Sequence, residues 1–177
     1  MLEGLKDFFR RRSLAKYAST EPTQITPIRE IHSAVAFIDV EDTSFDACKQ
    51  ALLSFFKENG IKGDIFFYDF RKLTEGERLI TSITTTVLRK DLNWYGRPAM
   101  EKVNLLLSGE PDMFISLLRK NDFPIEFMAA VSKARFKVGR MQLPGNIFDV
   151  VVSDPDDRIL SEAEVFVEFR KILDKIQ

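Results

Sequence analysis

PDMFISLLRKNDFPIEFMAAVSKARFKVGR, residues 111–140, decides the fold, because it reads as one complete strand, turn, helix and strand. Met113 to Leu118 is an apolar run too short for a helix, and it is bounded by Pro111-Asp112 and by the polar turn Arg119 to Asp122; such a run is a buried strand. Pro124 sits where a first helical turn tolerates a missing N–H, and Asp122 is placed to cap that helix. Ile125, Met128, Ala129 and Ser132 recur at helical spacing, and the small residues Ala129, Ala130, Ser132 and Ala134 let the helix lie close on a sheet. Arg135 to Val138, closed by Gly139, alternates and predicts the next strand. A strand, a crossover of this length and a second strand form a parallel βαβ unit, which is almost always right-handed.

The same alternation extends in both directions. Upstream, Ser33 to Val40 predicts a buried strand that runs into the acids Asp39, Glu41 and Asp42; Thr43 or Ser44 caps a helix to about Asn59, where Asn59-Gly60 stops it. Phe45, Cys48, Leu52, Phe55 and Phe56 give that helix its core face, so Cys48 reads as a small packing residue and not as a reactive thiol. Asp64 to Phe70 is the second strand, and the β-branched run Leu79 to Leu88 favours a third. Ala99 to Ser108 predicts a helix ended by Gly109. Downstream, Ile147 to Val152 is a further strand, and a last helix runs from the capping box Ser161 to Glu164 as far as Ile176. Six strands alternating with helices predict an α/β Rossmann-like three-layer sandwich with a mostly parallel sheet.

Ahead of this domain, residues 1–18 form a basic amphipathic helix and residues 19–31 a Pro- and Thr-containing linker, leaving 32–177 as a single Rossmann-like unit. Leu2, Leu5, Phe8, Phe9 and Leu14 fall toward one side of the helix, with Lys6, Arg10, Arg11, Arg12 and Lys16 over much of the rest. Basic flanks beside two Phe suit a helix that lies on an anionic membrane or docks on a partner. Packing on its own sheet or on a dimer mate is the plainer alternative, since anchoring by one short helix is marginal. The contact residues on the first reading are Phe8, Phe9, Arg10, Arg11 and Arg12.

Composition bounds the rest. The chain has 177 residues, enough for one core, and 26 basic against 27 acidic residues, so no global field favours nucleic acid. Sixteen Phe beside one Trp point to apolar packing, not to a ligand-facing aromatic surface. One cysteine excludes an internal disulfide and fits a reducing cytoplasm; Leu2 to Arg12 is too charged for a signal peptide, and no apolar run reaches the ~20 residues of a membrane span.

No reaction signature survives a search of the chain. His32 is the only histidine and precedes the first strand, at the edge opposite the expected site. The turn after that strand carries Asp39, Glu41 and Asp42 in place of glycines, and carboxylates there repel phosphate. Asp39 and Asp42 keep an enzymatic alternative, because acidic first turns occur in Mg²⁺ and phosphoryl-transfer enzymes. Asp154, Pro155, Asp156 and Asp157 lack the alternating spacing of a Ca²⁺ loop and read as a solvated turn. The most distinctive motif is DLNWYGRP, residues 91–98. It is either a binding loop, with rings for contact area and Asn93 and Arg97 for direction, or a loop that Trp94 and Tyr95 pin to the core.

The order and spacing of DLNWYGRP, PDMFISL, FMAAVSKARFKVG and FDVVV, after a basic amphipathic helix, resemble an uncharacterised family of short bacterial α/β proteins, a domain of unknown function that brings no activity with it. PDMFISL and AAVSKARFKVG are also similar to the N-terminal Rossmann half of heptosyltransferase-type glycosyltransferases. Those enzymes hold the nucleotide sugar chiefly in a second domain for which this chain has no length, so that likeness implies shared architecture and not shared catalysis.

The leading expectation is therefore a non-enzymatic cytoplasmic α/β domain that binds a partner protein, a second copy or the inner membrane surface through its first helix, with no cofactor, metal or nucleic acid. The rival is a small-ligand-binding protein or an enzyme, glycosyltransferase-like or phosphoryl-related, that uses the carboxyl-end loops. Its candidate residues are Asp39, Asp42, Asn93, Trp94, Arg97 and Asn121.

Overall fold

A computed structural model describes residues 1–72, 82 and 84–176. Its elements are α1 (Leu2–Tyr17), β1 (Ser33–Asp39), α2 (Phe45–Glu58), β2 (Lys62–Asp69), β3 (Thr86–Leu88), α3 (Met100–Ser108), β4 (Met113–Ser116), α4 (Phe123–Val131), β5 (Phe136–Gly139), β6 (Val150–Val151) and α5 (Glu162–Leu173). The six strands make one sheet in the order β3-β2-β1-β4-β5-β6, and every pair is parallel. The chain builds outward from β1 to β3, returns to lay β4 on the other side of β1, and continues to β6. The gap between the carboxyl ends of β1 and β4 is thus the topological switch point, where such sheets take ligands.

Alternate side chains of each strand serve two cores, as the two-residue period of a strand requires. Ala34, Ala36 and Ile38 of β1 face α2 and α5, together with Met113 and Ile115 of β4. Val35 and Phe37 face the opposite layer, built on α3 and α4. On that side Phe37 stacks between Phe66 and Phe114, with centroids 5.1 and 5.0 Å away, so three adjacent strands are bridged by rings. Of the sixteen Phe, only Phe8, Phe9 and Phe70 escape burial, which is where the unusual composition goes. Cys48 is buried in the α2 core, and burial pushes its thiol far above the ordinary range.

Several elements differ in extent from their sequence reading. The third strand is confined to Thr86–Leu88 on the edge of the sheet; Leu79 to Thr81 and Ile83 lie outside the described residues. The sixth is only Val150–Val151, because the chain from Pro144 to Asp149 turns on Gly145 and Asn146, both at positive φ, and joins the sheet late. Helix α4 ends at Val131, and its last carbonyls have an unexpected partner. Lys137 of β5, 4% exposed, points into that layer and donates 2.7 Å bonds to the carbonyls of Ala129 and Ser132. Burial lowers its pKa to about 8 even so. A cation at a helix C-terminus satisfies orphan acceptors and the helix dipole together.

The first helix packs against α4 with Phe9, Ser13, Leu14 and Tyr17, adding to the core of that layer. Tyr17 meets Phe127 edge-on at 6.0 Å. The segment after it is tied down as well: the Ser19 amide donates to the Ala130 carbonyl, the Gln24 amide to Arg135, and the Thr23 hydroxyl to Asp149. Leu2, Leu5 and Phe8 are not part of this contact and stay exposed.

Two glycines give a direct test of the packing. A Cβ at Gly63 would overlap the Phe56 ring, whereas a Cβ at Gly4 meets open space on α1. Gly63→Ala is expected to lose about 1–3 kcal/mol through overpacking, and Gly4→Ala to gain up to about 1 kcal/mol from helix propensity. Urea unfolding of the two variants checks both signs.

Candidate functional site

At the switch point the β1–α2 turn and the start of α5 are knitted into one wall. The Asp39 amide donates to both carboxyl oxygens of Glu162, at 3.0 and 3.1 Å. Asp42 accepts from the Ser44 amide and hydroxyl with one oxygen and from the Glu162 amide with the other, while the Ser44 hydroxyl accepts from the Ala163 amide. Ser161 and Glu164 form the anticipated capping box at the head of α5. Opposite stand Arg119 and Lys120 of the β4–α4 turn, both exposed. Between the walls lies a polar cleft of about 500 Å³.

Behind this wall are charges that motif reading does not find. Glu162 is 1% exposed; burial, reinforced by Asp42 and Asp39, raises its carboxyl to about 9 against the opposing pull of the Asp39 amide and Arg140, so the acid is protonated at neutral pH. Arg140, just past β5 and also 1% exposed, pairs with Asp154 at 2.6 Å and donates to the Leu160 carbonyl, while its Nε and Nη1 have no hydrogen-bond partner among the described residues. Asp154 is consequently not part of a solvated turn: it is half-buried and faces inward on Arg140, whereas Pro155, Asp156 and Asp157 remain exposed.

A second, much smaller chamber, of about 10 Å³, adjoins the cleft and shares Asp39 and Lys120 with it. Asp122, Leu118 and Tyr68 complete most of its wall. Tyr68, near the end of β2, is 5% exposed, and its hydroxyl has no hydrogen-bond partner among the described residues. Burial, with the Asp122 carboxylate nearby, keeps that phenol protonated well beyond its ordinary range. Burial likewise raises Asp39 above the usual carboxylate range.

The remaining candidates gather elsewhere. Asn93 accepts from the amides of Tyr95 and Arg97 with one side-chain oxygen, and Gly96 supplies the positive φ that closes the turn. This loop clasps α1: Arg10 Nε donates to the Tyr95 carbonyl at 2.8 Å, Phe9 stacks on Tyr95 and meets Trp94 edge-on at 5.2 Å, and Arg97 lies over the Tyr17 and Tyr95 rings. Phe9, Arg10, Trp94 and Arg97 are therefore brought together, and Asp39 and Asp42 are brought together at the cleft. Asn121 stands apart from both sets, donating to the Gln142 carbonyl. Phe8, Arg11 and Arg12 project from the free side of α1. Among the described residues no cluster of three or more metal-ligating side chains occurs, and no helix is long and apolar enough to cross a membrane.

An all-parallel six-stranded sheet with this strand order and helices on both faces defines a Rossmann-like α/β protein. Residues 6–174 match DUF6913, a family of unknown function, and the chain belongs to that family. Neither the curated proteins nor the solved structures contain a match.

Proposed function

We propose that the chain is a docking domain that attaches reversibly to an anionic membrane surface through the outer face of α1 and the Trp94 loop. The observation that carries this reading is a contiguous apolar patch beside free cations. Leu2, Leu5, Phe8 and Trp94 are 62, 49, 56 and 53% exposed, and the Phe8 and Trp94 rings both abut Phe9. Arg11 and Arg12, one turn further along the same helix, have no ion pair among the described residues. Because α1 is fixed to α4 by its other side, the patch is held in place before it binds anything.

The magnitudes suit reversible attachment. Completing the burial of a half-exposed Leu, Phe or Trp contributes about 1 kcal/mol, and an arginine near an anionic surface about 1 kcal/mol. Together they amount to about 6 kcal/mol, less the loss of freedom on binding, so attachment is weak and sensitive to salt.

Vesicle flotation tests it. The protein is expected to float with vesicles containing phosphatidylglycerol, to stay behind with pure phosphatidylcholine, and to be released by salt; Leu5→Asp with Phe8→Asp is expected to abolish flotation. Removing α1 entirely is the poorer test, because it strips Phe9, Leu14 and Tyr17 from the core. Absence of flotation, or flotation unchanged by the double substitution, refutes the reading, and a saturable protein complex lost on that substitution would replace the lipid with a protein partner.

A further inference from the structure

We propose that the switch-point cleft binds a small primary amine, seated with its ammonium group in the chamber formed by Tyr68, Asp39 and Asp122. The argument rests on different residues from the docking patch and stands whether or not that patch binds lipid.

The chamber has room for about one heavy atom. Its polar lining is two carboxylates, the Lys120 side chain and a buried phenol whose hydroxyl is unpartnered among the described residues, set against Phe70, Leu118 and Ile125. A buried polar atom left without a partner carries a desolvation cost that an arriving group recovers. Three acceptor groups around a space of one atom match an ammonium, which has three donors, no acceptor and about the size of water. Asp39 has one oxygen already engaged by the Glu41 amide and the other without a partner among the described residues, so it can take a new donor without breaking the β1–α2 turn.

The larger cleft selects the rest of the ligand. Its acidic side chains outnumber its basic ones even with Glu162 neutral, so phosphorylated and carboxylate-rich molecules are disfavoured there. Glu41, exposed and at the mouth, suits a second cationic group at the far end of a short chain. Ile159, 65% exposed, offers that chain an apolar wall. Lys120 lines both spaces and is the resident cation with which an incoming amine competes.

Isothermal titration of the full chain with putrescine tests the assignment. Saturable binding is expected, weakened about fivefold by Tyr68→Phe, at least tenfold by Asp39→Asn, and tightened by Lys120→Ala. Tyr68→Phe removes a hydroxyl that no group among the described residues holds, so the variant folds, and thermal unfolding in the absence of putrescine verifies it. No saturable heat with putrescine, equal affinity of the Tyr68→Phe protein, or weaker binding by Lys120→Ala would each overturn the proposal. Glucose and glycine are the paired controls, and a preference for either over putrescine would also overturn it. Leu5→Asp with Phe8→Asp is expected to leave putrescine affinity unchanged, which separates this result from the fate of the lipid reading.

Discussion

Asp154→Ala is expected to destabilise the protein by about 3–5 kcal/mol, the cost of leaving a buried charge without its partner. Among the described residues Arg140 is one of the largest fully buried side chains, and Asp154 is its one carboxylate partner, at 2.6 Å. The same carboxyl oxygen also accepts from the Leu160 amide, so the substitution frees a second donor. The loss stems from the stranded guanidinium and not from the strength of the pair, because desolvation consumes most of what a buried pair gains. Adding Arg140→Met to Asp154→Ala is therefore expected to recover most of the loss. Urea unfolding of the single and double variants decides it: equal stability for the two would show that the guanidinium does not carry the penalty.

Glu162→Gln is expected to make the protein more stable above neutral pH, by an amount that grows as pH rises. The carboxyl has a folded-state pKa of about 9, above its ordinary value of 4.5, so between those limits the folded chain holds a proton that the unfolded chain has lost. A group of this sign contributes fully at low pH, and its contribution drains away as pH rises through the window. Each pH unit within it corresponds to about 1.4 kcal/mol, giving a difference of about 3 kcal/mol between pH ~6 and pH ~8. Glutamine keeps an oxygen for the Asp39 amide and does not ionise. Unfolding free energies of both proteins at the two pH values test this, and a difference independent of pH would place the ionised form in the folded state.

Much of the architecture was legible because it is written in local periodicity. The βαβ unit of residues 111–140, the strand that ends at Asp39 and the Ser161–Glu164 capping box each need only neighbouring residues to be recognised. The edge strands β3 and β6 were legible only as β-prone runs, since their length is fixed by where the chain joins and leaves the sheet: β3 pairs only Phe67–Asp69 of β2, and β6 only Val138 and Gly139 of β5. The face of α1 was half legible: Phe9 and Leu14 pack, but Leu2, Leu5 and Phe8 do not, because α4 meets the helix along its Phe9, Ser13 and Tyr17 ridge. Asp39 and Asp42 could be placed at the carboxyl end of a strand, but that this end is the switch point follows from the strand order, which local periodicity does not encode. Tyr68, Arg140 and Glu162 could not be singled out, because what distinguishes them is burial beside residues far away in the chain, such as Glu162 with Asp39 across 123 positions. The DLNWYGRP loop was visible as a motif, but its engagement of α1 depends on a contact between Arg10 and Tyr95 that no spacing rule encodes.

That contact also fixes an order of events during synthesis. Arg10 waits for a carbonyl 85 residues downstream, and the helix on which α1 rests, Phe123–Val131, emerges later still. A ribosome releasing the chain from its N-terminus therefore presents Phe9, Leu14 and Tyr17 to the surroundings until most of the sheet exists. The first helix made is seated only after α4, with α5 alone of the named helices still to come. Any factor that recognises nascent amphipathic helices meets α1 with both its inner and its outer apolar residues uncovered.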